Sequence, residues 1–352
     1  MRSADSNAQI ETFSSIDALP DDAGVLFAGV GTLFARPAWW RTVLADALPA
    51  GAEACFVLCR IDGAPAGLFP MLRTPGWSSF TTPYTCVYTP LIAPGADAAA
   101  ACRAFGRYCR RFPTTRIDAL PLEWRYLPAL ISGAGAAGLA VRRFDHFGNW
   151  REDVAGLDWT GYLARRPGAL RETIRRRLRR VERLPDATFT LIADTNGLED
   201  GIAAFETVYA KSWKEPEPFP HFNAALMRAA AAEGILRLGL WSLAGKTVAV
   251  QFWIVEFGQA TVLKLAHDEA FKAHSPGTVL TALMLRHLLD QERVVAIDFG
   301  RGDDPYKKDW AAERRQRIGL LFATPWRAAG LLAILHHALG RLRARSKRRA
   351  IS

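Results

Sequence analysis

Apolar positions along the chain come in short runs, some alternating with polar residues and some spaced by three and four, and Gly and Pro punctuate them. In the first half, Ala54 to Ile61 and Ala64 to Leu72 predict two strands joined at Asp62-Gly63, a dipeptide that favours a tight hairpin. Cys86 to Ile92 predicts a third strand. Pro94-Gly95 opens a helix running to about Arg111, and Arg116 to Leu120 and Leu139 to Phe147 predict further strands. Earlier, Pro37 sits at the first turn of a helix that turns Trp39, Trp40, Val43 and Leu44 inward. Residues 1–22 predict a loose, disordered leader.

The second half begins at about Trp150. Gly168 to Leu184 predicts a helix with Leu170, Ile174, Leu178 and Val181 on one stripe and arginines elsewhere. Thr188 to Ala193 predicts a strand, and Asn196 to Ser212 and Asn223 to Glu233 predict helices. Ile235 to Leu243 and Thr247 to Glu256 predict strands joined at Ala244-Gly245-Lys246, followed by a strand over Ala260 to His267. An apolar helix over Gly277 to Leu289, strands over Val294 to Phe299 and Arg317 to Ala323, and a last helix over Trp326 to Arg345 complete the chain.

The two halves repeat. Each has a strand, a Gly turn, two more strands, a Pro-Gly helix start and a strand containing Ile-Asp. Gly63 to Gly95 and Gly245 to Gly277 are both 32 residues apart. The expectation is an α/β fold with mixed sheets, built from two copies of one unit as a pseudo-dimer. The copies differ chemically: Leu120-Pro-Leu ends the strand where the second copy has glycines and acids after Asp298, so the second copy is the expected working one.

Composition narrows the class. Half of the 352 residues are hydrophobic, with 19 Phe and 11 Trp, enough for two packed interiors. No apolar run reaches the roughly 20 residues that span a bilayer. The five cysteines, at 55, 59, 86, 102 and 109, form no CxxC and accompany no His cluster, so they predict buried thiols in a reducing cytoplasm, with no metal site. The net charge of +10 is concentrated: Arg165 to Arg183 holds nine arginines against two glutamates, and Arg327 to Arg349 holds seven cations and no acid. The remainder is slightly acidic, which argues against a generally basic nucleic-acid binder.

Candidate chemistry gathers in two stretches, expected to be walls of one cleft. Asp298-Phe-Gly-Arg-Gly-Asp-Asp-Pro-Tyr-Lys-Lys-Asp-Trp310 follows a buried strand and is poor core material. Asp298, Asp303 and Asp304 offer carboxylates that can take the proton of an attacking amine, and Tyr306 can give one to a departing thiolate. Ser275, Pro276, Gly277 and Thr278 open a helix, where unpaired backbone N–H groups suit a phosphate; Lys307 and Arg301 add cationic reach. Lys264, His267 and Asp268 end the preceding strand. Each acid taken alone also reads as a cap or turn residue. GxSxG, HExxH and Walker motifs are absent.

In that order, Gln251 in a strand, Lys264-Leu-Ala-His-Asp268, Ser275-Pro-Gly-Thr278 and Asp298 to Lys307, the sequence resembles the BioF2-like (CelD-like) acetyltransferases of the GNAT superfamily, relatives of the Fem-type aminoacyltransferases. The likeness runs from about Phe34 to Ala323, and the 298–307 string is its most specific part. It implies tandem GNAT-like domains: a degenerate one over 23–149 and an acyltransferase domain over 150–325, between the leader and a basic amphipathic helix over 326–352. It implies an N-acyltransferase that uses acetyl-CoA or another acyl-CoA as donor and a small amine as acceptor, of the kind found in envelope polysaccharide or cellulose biosynthesis. The donor pyrophosphate would lie at Ser275 to Thr278, with Gln251, Lys264, His267, Asp268 and Arg301 toward the substrate. The usual GNAT phosphate loop, Arg/Gln-x-x-Gly-x-Gly/Ala, is absent, so an acyl carrier protein or aminoacyl-tRNA stands as an alternative donor. A non-catalytic assembly factor at the membrane surface is the other alternative. It draws on the leucines and cations of 326–349, which predict a cytoplasmic protein in peripheral contact with the inner membrane.

Overall fold

The computed structural model describes residues 7–74 and 76–336. In chain order the elements are β1 (Ala8–Phe13), α1 (Pro37–Asp46), β2 (Glu53–Ile61), β3 (Ala64–Arg73), β4 (Trp77–Ser79), β5 (Leu91–Ile92), α2 (Ala98–Cys109), β6 (Thr114–Pro121), α3 (Leu127–Ala136) and β7 (Ala140–Asp153). Then follow α4 (Trp159–Ala164), α5 (Gly168–Val181), β8 (Ala187–Ile192), α6 (Leu198–Ala210), α7 (Phe222–Ala232), β9 (Leu236–Leu243), β10 (Lys246–Glu256), β11 (Gln259–His267), α8 (Pro276–Asp290), β12 (Ala296–Asp298), α9 (Lys307–Trp310) and β13 (Glu313–Ala323). Residues 328–336 form a further helix. The mixed α/β fold divides into two compact units: the chain up to Phe147 with that from Gln316 onward, and Gly148–Arg315.

Each unit repeats one strand pattern. In the first the order is β1-β2-β3-β4-β6-β13, and in the second β8-β9-β10-β11-β12-β7. Every neighbouring pair in these two series is antiparallel except the fourth with the fifth, β4/β6 and β11/β12, which are parallel. A parallel pair needs a crossover, and α2 and α8 supply it. Both hairpin turns put two residues at positive φ, Asp62 (50°) with Gly63 (83°) and Ala244 (48°) with Gly245 (74°). That geometry matches the twist of the flanking strands. The periodicity of the sequence therefore reports a repeat of topology.

The structure corrects several expectations. The described part of the leader is folded: Ala8–Phe13 pairs along β2 from Ala8↔Ile61 to Phe13↔Phe56, and Glu11 meets Arg60 at 2.8 Å. Residues 316–325, expected in the second domain, belong to the first unit, because the apolar end of β13 pairs with β6 from Arg317↔Pro121 to Ala323↔Thr114. The strand expected over Cys86 to Ile92 shrinks to Leu91–Ile92; Pro90 lacks the N–H a ladder needs. Helix α3 was not expected, since its Gly- and Ala-rich sequence has no clear apolar stripe. Of the last helix, the part beyond His336 lies outside the described residues. Cys59, Cys86, Cys102 and Cys109 are buried, Cys55 is half-buried, and none of the five is in a disulfide.

Helix α3 is held by backbone proximity to α2. A Cβ on Gly133 would lie 2.6 Å from the carbonyl carbon of Cys102, and one on Gly106 would lie 2.8 Å from the carbonyl oxygen of Gly133. Neither helix can yield without moving main chain. Gly133→Ala is expected to cost about 2–3 kcal/mol of stability, read as a lowered denaturation midpoint.

The second unit's core lies between its sheet and helices α4, α5 and α8. Trp241, Trp253, Leu280, Leu285 and Leu288 are fully buried there, and Leu170 and Leu178 of α5 pack against them. The apolar stripe of α5 is thus core-facing, and Arg175, Arg176, Arg179 and Arg180 stay exposed.

Candidate active site

The sheet of the second unit opens at its parallel pair. β11 and β12 are joined only from Gln259↔Ala296 to Thr261↔Asp298, and β12 ends there. β11 continues to His267, paired with β10, and its register slips between Phe252↔Lys264 and Trp253↔Val262, so Leu263 is an extra residue. Such a bulge bends and twists its strand. The ladder between β11 and β12 thus stops one residue before the bulged segment, and the strands part.

Helix α8 starts beside this opening. Its N-cap, Ser275, is left-handed (φ 53°, ψ 53°) and makes no side-chain capping bond. That backbone costs a non-glycine residue about 1–2 kcal/mol, the kind of strain that collects at functional sites. The first helical bond runs from Val279 N to Ser275 O at 3.1 Å, so the Gly277 and Thr278 N–H groups precede the ladder. They carry the positive end of the helix dipole. Gln251, on β10 and buried, fixes this turn: its amide donates to Gly277 O (3.3 Å) and Thr281 Oγ1 (2.8 Å), and its oxygen accepts from Trp253 Nε1 (2.9 Å).

A cavity of about 320 Å³ lies against the helix start, walled by Leu265 and His267 of β11, Ser275 to Thr278, Trp213, Tyr306 and Trp310. The expected walls therefore meet, since Tyr306 and Gly277 line the same cavity. His267 is oriented by two neighbours: Nε2 lies 3.1 Å from Glu269 Oε1, and the Trp213 ring lies over it at 4.5 Å. Its Nδ1 is buried without a partner, and a Cβ on Gly277 would sit 3.5 Å away. With Nε2–H donated to Glu269, Nδ1 is the basic atom facing the helix start.

Burial lowers the His267 pKa below the ordinary imidazole value of about 6.5, and Glu269 opposes the shift in part. The unfolded chain accordingly takes up a proton here more readily than the folded one. The stability due to this residue is complete above pH 6.5 and is lost as the pH falls through that value toward the folded pKa. An NMR titration of the His267 ring is expected to give a midpoint below 6.5.

The loop after β12 is a latch. Asp298 is buried and accepts from Asn149 Nδ2 (2.6 Å), Gly300 N (2.8 Å) and Arg315 Nη2 (2.9 Å). Asp303 accepts from Trp150 Nε1 (2.7 Å) and Arg314 Nε (2.8 Å), and Arg314 holds its carboxyl below the usual range. The Lys307 ammonium is buried and donates to the carbonyls of Arg301 (2.8 Å) and Gly302 (3.3 Å), beside Asp304 Oδ2 at 2.9 Å. Asp268 caps Ala270 N at 3.0 Å. Tyr306 stands on this scaffold, 39% exposed; the packing around its covered part, then Asp304, raises its phenol pKa, so it stays protonated. Lys264 is paired to Glu217, which also accepts from Tyr209 Oη. Lys214, between the Tyr209 and Trp213 rings, has its pKa lowered by burial and then by Lys264.

Of the residues expected at the site, His267, Ser275, Pro276, Gly277, Thr278 and Tyr306 line the cavity. Gln251, Asp268, Asp298, Asp303 and Lys307 instead hold the elements that form it. The sequence reading missed Trp213, Glu269 and Trp310. The signal for Trp213 was an aromatic residue in the proline-rich connection Lys211 to His221, a loop composition suited to binding. Among the described residues, no group of three or more His, Cys, Asp or Glu side chains is placed to hold a metal ion.

This opened sheet, with a helix starting at the gap, coincides with a recognised domain. Residues 168–308 match the acetyltransferase (GNAT) domain family. The second unit thus carries an enzyme domain of the acyltransferase class, and the match spans every cavity residue except Trp310. No curated protein matches the chain in sequence. Among solved structures, FemX is similar at 12% identity, covering 93% of this chain and 100% of that one with a TM-score of 0.59. L-PGS from Bacillus licheniformis is 12% identical, covers 89% and 98%, and has a TM-score of 0.52. A tandem GNAT protein from the clavulanic acid biosynthesis pathway is 13% identical, covers 91% and 100%, and has a TM-score of 0.51. These likenesses concern the fold, and the last agrees with the strand pattern repeated in the two units.

Proposed function

We propose that the second unit transfers an acyl group from an acyl-CoA thioester to a primary amine. The observation that carries the reading is the gap between β11 and β12, with the N–H groups of Gly277 and Thr278, which precede the helical ladder, in a cavity that Tyr306 also lines. A donor pyrophosphate would bind those N–H groups, and its pantetheine arm would run into the gap toward Leu263. The amine nitrogen attacks the thioester carbon, the C–N bond forms, the C–S bond breaks, and the amine loses a proton. His267 Nδ1, neutral and bare, is suited to take that proton directly or through water. Tyr306, held protonated, is suited to give one to the thiolate. Asp298, Asp303 and Asp304 serve the loop and not proton transfer. The 298–307 string supports a BioF2-like kind of GNAT protein; no feature of the cavity favours a polysaccharide acceptor over another amine.

The test is thiol release from a panel of acyl-CoA thioesters in the presence of mixed amines. Transfer with at least one thioester is expected; a chain that binds none of them loses this reading. An aminoacyl-tRNA donor is the second reading, favoured by the exposed Arg175, Arg176, Arg179 and Arg180 of α5. It would show as tRNA binding that survives moderate salt together with silence toward acyl-CoA. Contact with a membrane is a separate proposal, resting on the first unit.

A further inference from the structure

The helix over 328–336 is anchored by one face and bare on the other. A Cβ on Gly330 would lie 2.2 Å from Thr324 O and 2.8 Å from Pro113 O, so this face rests on main chain of the first unit. Ala333 and Ile334 share that side and are half-buried. The opposite face presents Ala328, Leu331, Leu332 and Leu335, the spacing of a continuous apolar stripe. Leu331 is 48% exposed, Leu332 66% and Leu335 51%. Single exposed leucines are ordinary, but three on one stripe form a patch that calls for a partner. Leu332 and Leu335 also wall an apolar groove of about 720 Å³ against Phe144 and Leu321. Trp326, 54% exposed, precedes the helix with the Arg110 guanidinium over its ring at 4.9 Å.

Charge selects the partner. The sequence that follows the stripe carries Arg341, Arg343, Arg345, Lys347, Arg348 and Arg349 and no acid through Ser352. An apolar helix face followed in sequence by a segment whose charges are all cationic matches a surface that is apolar beneath and anionic above. A bilayer containing anionic lipid has this order, since leucines reach the acyl boundary while Lys and Arg stay among phosphates. Among the described residues no helix is long and apolar enough to cross a membrane. We propose that the leucine stripe of 328–336 and the cations after it dock the protein on the surface of an anionic bilayer, independently of the acyl-transfer reading.

The test is flotation of the full chain with vesicles of phosphatidylcholine alone and with one-quarter phosphatidylglycerol. Binding to the anionic vesicles is expected, with little to neutral ones. L331S/L332S/L335S should lose at least about tenfold of it while its unfolding midpoint stays near wild type. A second variant, R341E/R343E/R345E, leaves the stripe intact and should lose binding to a similar degree. Equal flotation of wild type and the serine variant overturns the proposal. So does a wild-type chain that ignores anionic vesicles, whether its own carboxy-terminal segment or a second copy covers the stripe. A dimer that the serine variant dissociates would identify the second copy.

Discussion

Gly277→Glu is expected to weaken acetyl-CoA binding by at least about a hundredfold, roughly 3 kcal/mol, and to leave the unfolding midpoint within about 3 °C of wild type. The position lies in the first turn of α8, beside N–H groups that no helical carbonyl satisfies, and its Cβ direction points at His267 Nδ1. A carboxylate there takes the place of the donor's phosphate and satisfies the same N–H groups from within, which also explains why folding should not suffer. Gly277→Ala is the control. Its Cβ would meet His267 Nδ1 at 3.5 Å, an ordinary contact, and binding should change little. Calorimetry on both variants checks the pair. If glutamate binds acetyl-CoA as wild type does, the phosphate is elsewhere.

Asp298→Ala is expected to destabilise the second unit by about 3–5 kcal/mol, roughly 10 °C in midpoint. The substitution leaves the Arg315 guanidinium without its carboxylate and the Asn149 amide and Gly300 N–H without their acceptor. The loop that carries Tyr306 would lose its root, so activity should fall along with stability. Asp298→Leu combined with Arg315→Met should recover part of the loss, because removing both partners of a buried pair costs less than removing one. Denaturation midpoints and transfer rates distinguish this account from a catalytic one. A variant with wild-type stability and no activity would make Asp298 the proton acceptor instead.

The contrast between Asp298 and His267 shows what the sequence could carry. The hairpin at Asp62-Gly63, the repeat in spacing and the strand–helix–strand crossover around Gly277 are local patterns, and the structure contains them. That Gly277 and Tyr306 share a cavity was legible because both follow strands that a crossover makes neighbours. The division of labour within the 298–307 string was not legible. Which acid is consumed by Asn149 and Arg315, residues 149 and 17 positions away, depends on pairings no local pattern encodes. The same holds for the leader: Ala8–Phe13 looks polar until β2 and Arg60 are beside it. The exposed leucines of 328–336 were legible as an apolar stripe, but only the close approach at Gly330 says which side of the helix faces away.

A crystal structure of the chain with bound acetyl-CoA tests the central claim most directly. The account predicts pyrophosphate oxygens at about 3 Å from the Gly277 and Thr278 nitrogens and the thioester in the gap between β11 and β12 beside Leu263. Density for the donor in the first unit, or an occupied second unit whose gap is closed by its own side chains, would contradict it.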